Sequence, residues 1–132
     1  MLLVAHGLSQ RAAIHDNSKF SEQEFEAYEE AFPELQKYAY GSPEFKAALD
    51  TIQPAIAHHY AANDHHPEHF EQGINDMNLV QLVEMVCDWL ASSARSQADI
   101  TKGLEVNKER FGIDDQLYGI IKNTIDALKA KE

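Results

Sequence analysis

Cysteine is nearly missing from this 132-residue chain, as are long apolar runs and any excess of base. The single cysteine, Cys87, rules out an internal disulfide framework and fits a reducing compartment, so a cytoplasmic protein is expected. No apolar stretch approaches the ~20 residues of a membrane helix. The opening segment from Met1 to His6 has no basic leader and is too short for a signal peptide. Lys and Arg number 11 against 22 Asp and Glu, a formal charge of −11. That sign argues against general nucleic-acid binding, which needs cations to displace counterions, and against docking on an anionic membrane. Phosphate substrates stay accessible if a metal or a few local cations reverse the field. Strand signals, internal repeats and a glycine-rich phosphate loop are absent as well. At ~100–200 residues per domain, the length predicts one domain over residues 1–132.

What the sequence does carry is helix punctuation. A first helix is expected from Leu2 to about Asn17, weakened by Gly7. Ser21-Glu22-Gln23-Glu24 reads as a capping box, with the serine hydroxyl and Glu24 each meeting the other's backbone N–H. It opens a helix to Ala31 whose apolar stripe is Phe25, Tyr28 and Phe32 and whose glutamates face water. Ser42-Pro43-Glu44 is a second start, followed by Phe45, Leu49, Ile52 and Ile56 on one face that extends to His59. Pro54 is expected to kink or split this helix.

Asn63 to Asn75 reads as a polar loop. A long central helix then runs from Asn78 to Ser96, with Gln81, Glu84, Asp88, Ser92 and Arg95 as a polar stripe. A short helix around Thr101–Arg110 ends at Gly112. The last helix, from Asp114 or Asp115 to about Lys131, buries Leu117, Ile120, Ile121, Ile125 and Leu128. The fold class is all-α, a single-domain bundle of five to six helices.

Three constellations could carry chemistry. Five of the seven histidines, His58, His59, His65, His66 and His69, fall within twelve residues. Imidazole is the commonest side-chain ligand of transition metals, and a His-rich surface loop is the alternative. His15-Asp16 can converge on one ion only near a helix end, where the backbone turns away; a chance dipeptide at a helix terminus is the plainer reading. Asp88 sits within Val86-Cys87-Asp88-Trp89-Leu90, where a buried carboxylate needs a partner or a metal. Alternatively its stripe faces water, or it pairs with Arg95 or Lys19.

His15-Asp16-Asn17-Ser18-Lys19-Phe20, then the histidine block, then an isolated Asp88 on an apolar helix, resembles the HD-domain superfamily of metal-dependent phosphohydrolases. The segments from His58 to His69, Gly73 to Leu79 and Arg110 to Ile113 look like the signature of a small uncharacterised HD-like branch. The resemblance covers nearly the whole chain from His15. It implies an HD-domain-like helical core, with His-Asp on one helix and Asp on a later one gathered around a divalent metal. A lysine three residues after the motif aspartate is common in the superfamily, and Lys19 matches. The superfamily's first ligand histidine lies well ahead of His-Asp, whereas only fourteen residues precede His15. His6 substitutes, the histidine block supplies the ligand, or part of the family's N-terminal helix is lacking.

The implied activity is hydrolysis of a nucleotide or another small phosphate ester or anhydride by metal-activated water. The cofactor is one or two divalent ions among Mn, Fe, Co, Ni, Zn and Mg. His15, Asp16, His58, His59 and Asp88 are the candidate ligands, with His59 on the inward helix face and His58 about 100° from it. His65 and His66 bind a second ion or protonate the leaving oxygen. Lys19 and Arg95 hold phosphate oxygens. Glu84 could orient a ligand, although an ordinary exposed helix glutamate is preferred. Tyr38, Tyr40 and Tyr60 flank a flat group or, preferably, are half-buried packing. Trp89 is read as core and Cys87 as a small buried residue. A possible homodimer is expected. Two alternatives stand beside the hydrolase: a di-iron oxygenase of the HD fold, and a non-catalytic regulatory module that has lost the site.

Overall fold

Caps and prolines divide the chain much as the sequence implies. The computed structural model describes residues 1–129, among which there are seven α-helices and no strand. They are α1 Leu2–Ile14, α2 Phe25–Leu35, α3 Pro43–Asp50, α4 Gln53–Ala62, α5 Leu79–Ser96, α6 Ile100–Phe111 and α7 Asp115–Lys129. The count exceeds six because Pro54 splits rather than kinks: α3 ends at Asp50 and α4 restarts with the proline in its first turn, where its missing N–H is harmless. The end of the last expected helix, beyond Lys129, lies outside the described residues.

Two caps form as read, at Ser42 and Gly112, and a third appears at Asn78. The Ser42 hydroxyl accepts from the Phe45 N–H at 3.1 Å, and Gly112 closes α6 at φ +61°. Asn78 caps α5 in a reciprocal box with Gln81, whose side chain accepts from the Asn78 N–H at 2.8 Å. The Ser21 box does not form. Helix α2 starts only at Phe25, Ser21 Oγ has no partner, and the Glu24 carboxylate is turned into the protein. Glu24 is 0% exposed, the opposite of a water-facing glutamate.

Two apolar clusters hold the bundle. The larger joins α5, α6 and α7 through Met85, Val86, Leu104, Ile121 and Ile125, and the smaller joins α2 to the α3–α4 pair through Ala31, Ile52, Ala55 and Ile56. Helix α5 packs on α1, α6 and α7, which makes it central. Several expected core positions are exposed instead: Phe25, Phe32, Ile120 and Leu128. Cys87 is also exposed, so it is not the small buried residue expected. In α2 the inward face is Ala27, Tyr28, Ala31 and Leu35, which shares Tyr28 with the aromatic stripe read from the sequence but is turned about 80° from it. Trp89 packs on the larger cluster, stacked on Phe111 with planes 5° apart.

Candidate metal centre

The His-Asp pair is useful because α1 stops just before it. His15 leaves the helix at ψ 127° and Asp16 takes the left-handed conformation, φ 56°, which Asp tolerates better than most residues. The backbone reversal turns both side chains to the same place, and the 3-10 turn Asn17–Phe20 then brings Lys19 back onto Asp16 at 2.6 Å. Opposite them, α4 presents His59, the following loop presents His65 and His66, and α5 presents Glu84 and Asp88.

Asp16 is the hub. Its Oδ1 lies 3.5 Å from His59 Nε2 and 3.4 Å from His65 Nε2, while His15 Nε2 is 3.5 Å from both Asp16 Oδ2 and Asp88 Oδ1. His66 Nε2 is 3.0 Å from His59 Nε2. Three overlapping sets can each place their ligand atoms within 4.8 Å of one another: His15, Asp16 and Asp88; Asp16, His59 and His66; His15, His65 and Glu84. Of the residues expected from sequence, then, His15, Asp16, His59, His65, His66 and Asp88 converge.

Three of the inward imidazoles turn Nδ1 toward a glutamate. His15 Nδ1 is 2.8 Å from Glu84 Oε1, His65 Nδ1 is 3.3 Å from the same oxygen, and His59 Nδ1 is 2.9 Å from Glu24 Oε2. A carboxylate can only accept, so in His15 and His59 Nδ1 carries the proton; His15 Nε2 is left as a lone pair turned toward Asp16, and His59 Nε2 accepts from His66 Nε2–H at 3.0 Å. Carboxylate–histidine pairs of this kind orient metal ligands and raise their basicity.

The charges follow. Burial acts to raise the Asp16 pKa, but the Lys19 bond and charge, with His15 and His59, outweigh it and hold it below its ordinary value. Burial acts likewise on Glu24, and the bonds from His58, Ser18 and His59 bring it down. Burial lowers His15 less than Glu84, Asp16 and Asp88 raise it, so its pKa goes up. His65 is lowered chiefly by burial, and His66 is pushed down to about 3 by burial and its histidine neighbours. A ring that stays neutral through the ordinary pH range offers a lone pair; that suits a ligand better than the leaving-group acid expected of His65 and His66.

The remaining expectations fare differently. His58 points away from the cluster and binds Glu24 Oε1 at 2.6 Å, so it braces His59's partner and is not in ligand reach. His6 is exposed near the middle of α1 and belongs to none of the three sets. Arg95 is exposed at the end of α5 and does not line the adjoining cavity, so the substrate-binding role read for it is not supported; Lys19 does line that cavity. His69 is exposed and bonds only to the Tyr60 carbonyl. Tyr38 bonds to Glu34, whereas Tyr40 and Tyr60 line the cavity.

Sequence reasoning missed four supports. Arg11 on α1 pairs with both Glu84 and Asp64, and Gln81 reaches Asp64 at 2.7 Å, so one guanidinium ties α1, the histidine loop and α5 together. The Arg11 bond, outweighing the burial that acts to raise it, holds the Asp64 carboxyl below its usual range. Glu84 is a nearly buried anchor for two histidines, not the exposed glutamate preferred from sequence. Glu24 was masked by its resemblance to a cap, and Arg110 by its exposed-helix pattern. One signal was available for Glu84: it stands one turn before Asp88 on the stripe that turns inward.

The donor set fits a divalent metal. Asp16 Oδ1 and His65 Nε2 are buried, and neither has a hydrogen-bond partner among the described residues. Their 3.4 Å separation is about the edge expected between two ligands ~2.1 Å from a tetrahedral ion. Mixed imidazole nitrogen and carboxylate oxygen suit Mn, Fe, Co, Ni and Zn, and also Mg.

An all-helical bundle with a buried histidine–carboxylate centre is thus the class that fold and site define. The chain belongs to DUF5662, a family of unknown function, whose model matches residues 1–127. No curated protein and no solved structure matches it.

Proposed function

We propose that the chain is a metal-dependent phosphohydrolase acting on a small phosphate ester. One observation carries this reading: two orphaned buried ligand atoms, Asp16 Oδ1 and His65 Nε2, face each other amid the Nε2 atoms of His15 and His59 and the Asp88 carboxylate. The resemblance to HD-domain hydrolases supports the same chemistry.

His15, Asp16 and Asp88 would hold one ion, with His59, His65 and His66 completing it or holding a second. A divalent ion there supplies Lewis acidity toward a phosphoryl oxygen and lowers the pKa of water. The chain's own residues do the rest. Glu24 and Glu84 keep the imidazole protons on Nδ1, so each ligand is oriented before substrate arrives. Lys19, beside Asp16 and on the cavity wall, places an ammonium where phosphate oxygens approach a strongly acidic protein. Asp88, also on that wall, marks the point where the centre opens to ligand.

Metal analysis of the purified chain, followed by a phosphatase screen with Mn, Co, Ni, Zn and Mg, tests the proposal. Near-stoichiometric metal and phosphate release, both lost in Asp88→Asn, are expected. Absence of metal, or release untouched by that substitution, overturns it. Iron-dependent oxygen uptake without phosphate release would replace it with the oxygenase.

A further inference from the structure

Past Lys19, His66 and Asp88 the centre opens into a cavity of about 480 Å³, within the ~300–1,000 Å³ range of small-molecule sites. Its walls are apolar and aromatic, with the stacked Trp89–Phe111 pair, Tyr28, Phe45, Ile56 and Val106. Its far end holds a cation that is already matched. Arg110 donates to the hydroxyls of Tyr40 at 2.9 Å and Tyr60 at 3.1 Å and pairs with Glu68. Lys102, on the same wall, is exposed to solvent. A second anionic group would therefore find the guanidinium at that end already matched.

Asn107 shows what the end does seek. It is 3% exposed and lines the cavity. A guanidinium only donates, so the Tyr40 oxygen accepts from Arg110 and passes its own proton to Asn107 Oδ1, 2.9 Å away. That assignment fixes the amide orientation and leaves the Asn107 NH2 without a hydrogen-bond partner among the described residues. That donor lies on the cavity wall, where an acceptor on a bound ligand can meet it.

We infer that the cavity takes a monophosphate whose organic part is a flat, uncharged ring bearing a carbonyl or ring-nitrogen acceptor. The ring lies against the Trp89–Phe111 wall with its acceptor on the Asn107 amide, and the single phosphate lies at the metal end. This rests on the phosphohydrolase reading for the phosphate, but the ring site can be tested without it.

Trp89 is the only tryptophan, so its fluorescence reports on this cavity alone. The full chain, without metal, is titrated with uridine, a neutral ring with carbonyl acceptors. With Mn added it is titrated with uridine monophosphate, uridine triphosphate, phenyl phosphate and glycerol phosphate. Saturable uridine binding is expected, weakened about tenfold by Asn107→Leu and by Asn107→Asp in proteins whose melting shows them folded. The monophosphate is expected to bind more tightly than phenyl phosphate, glycerol phosphate or the triphosphate. Uridine binding that ignores both substitutions, no uridine response, or glycerol phosphate binding as well as the uridine ester overturns the inference. Asn107-dependent uridine binding in a protein that releases no phosphate upholds the ring site and fells the phosphohydrolase reading.

Discussion

Two regions of this molecule exclude water by opposite means, and α5 belongs to both. On one face Met85 and Val86 enter the apolar cluster shared with α6 and α7. On the other, Gln81, Glu84 and Asp88 enter the seam against α1 and the histidine loop, where closure depends on matched hydrogen bonds and charges. Apolar burial needs only shape and area, so any good neighbour serves. Polar burial needs a particular atom opposite, and an unmatched one is costly. The seam leaves two such atoms, Asp16 Oδ1 and His65 Nε2, unmatched at its centre.

The largest effect expected is on the seam's hub. Asp16→Asn keeps both size and tolerance of the left-handed backbone but removes the charge. Metal content measured after dialysis is expected to fall by at least ~100-fold, with the helical circular dichroism retained. Retained stoichiometric metal would reduce the seam to an ordinary polar core.

The opposite perturbation sharpens the contrast. Met85→Ala and Leu104→Ala remove buried apolar side chains and are each expected to cost ~2–5 kcal/mol in chemical denaturation, with metal stoichiometry unchanged. Next is Glu24→Gln, which can still accept from one histidine but loses the charge. A ~10–100-fold drop in metal affinity is expected by competition with a chelator, without loss of the ligands themselves.

A pH effect should come from the seam. His66 has a folded pKa near 3 against an ordinary 6.5, so the unfolded chain takes a proton that the folded chain refuses. Its stabilising contribution is complete above pH 6.5 and shrinks as pH falls toward 3. His65 acts in the same direction, and the raised His15 opposes both, favouring the folded state below its ordinary pKa. The metal-free protein is therefore expected to melt at progressively lower temperature from pH 7 to pH 5, and His66→Gln to flatten that slope. An unchanged slope in the variant would move the effect elsewhere. Smallest of all, Arg95→Ala and His69→Ala are expected to shift stability by less than ~0.5 kcal/mol and leave metal content unaltered.

Legibility divided along the same line. Met85, Ile121 and Ile125 could be read from helical spacing because burial there is a property of one helix face. His15, Asp16 and Asp88 come together, as the resemblance to the HD-domain order implies. Ser21 and Glu24 show the limit: their spacing states a local hydrogen bond, yet Glu24 finds two histidines from α4 and abandons the cap. Arg11 and Asn107 carried no local sign at all, since their partners lie 53 or more residues away.

The sequence by itself determined the helical class, the breaks at Pro54 and Gly112, and the residue types around which a metal reading could be built. Those follow from short-range backbone preferences and periodicity, which act within a few residues. Only the tertiary structure decided that His65 faces Asp16 while Arg95 lies outside the site, that Glu24 and Glu84 orient the rings, and that Arg110 and Asn107 close the cavity. Those outcomes depend on which distant donors and acceptors meet once the helices pack.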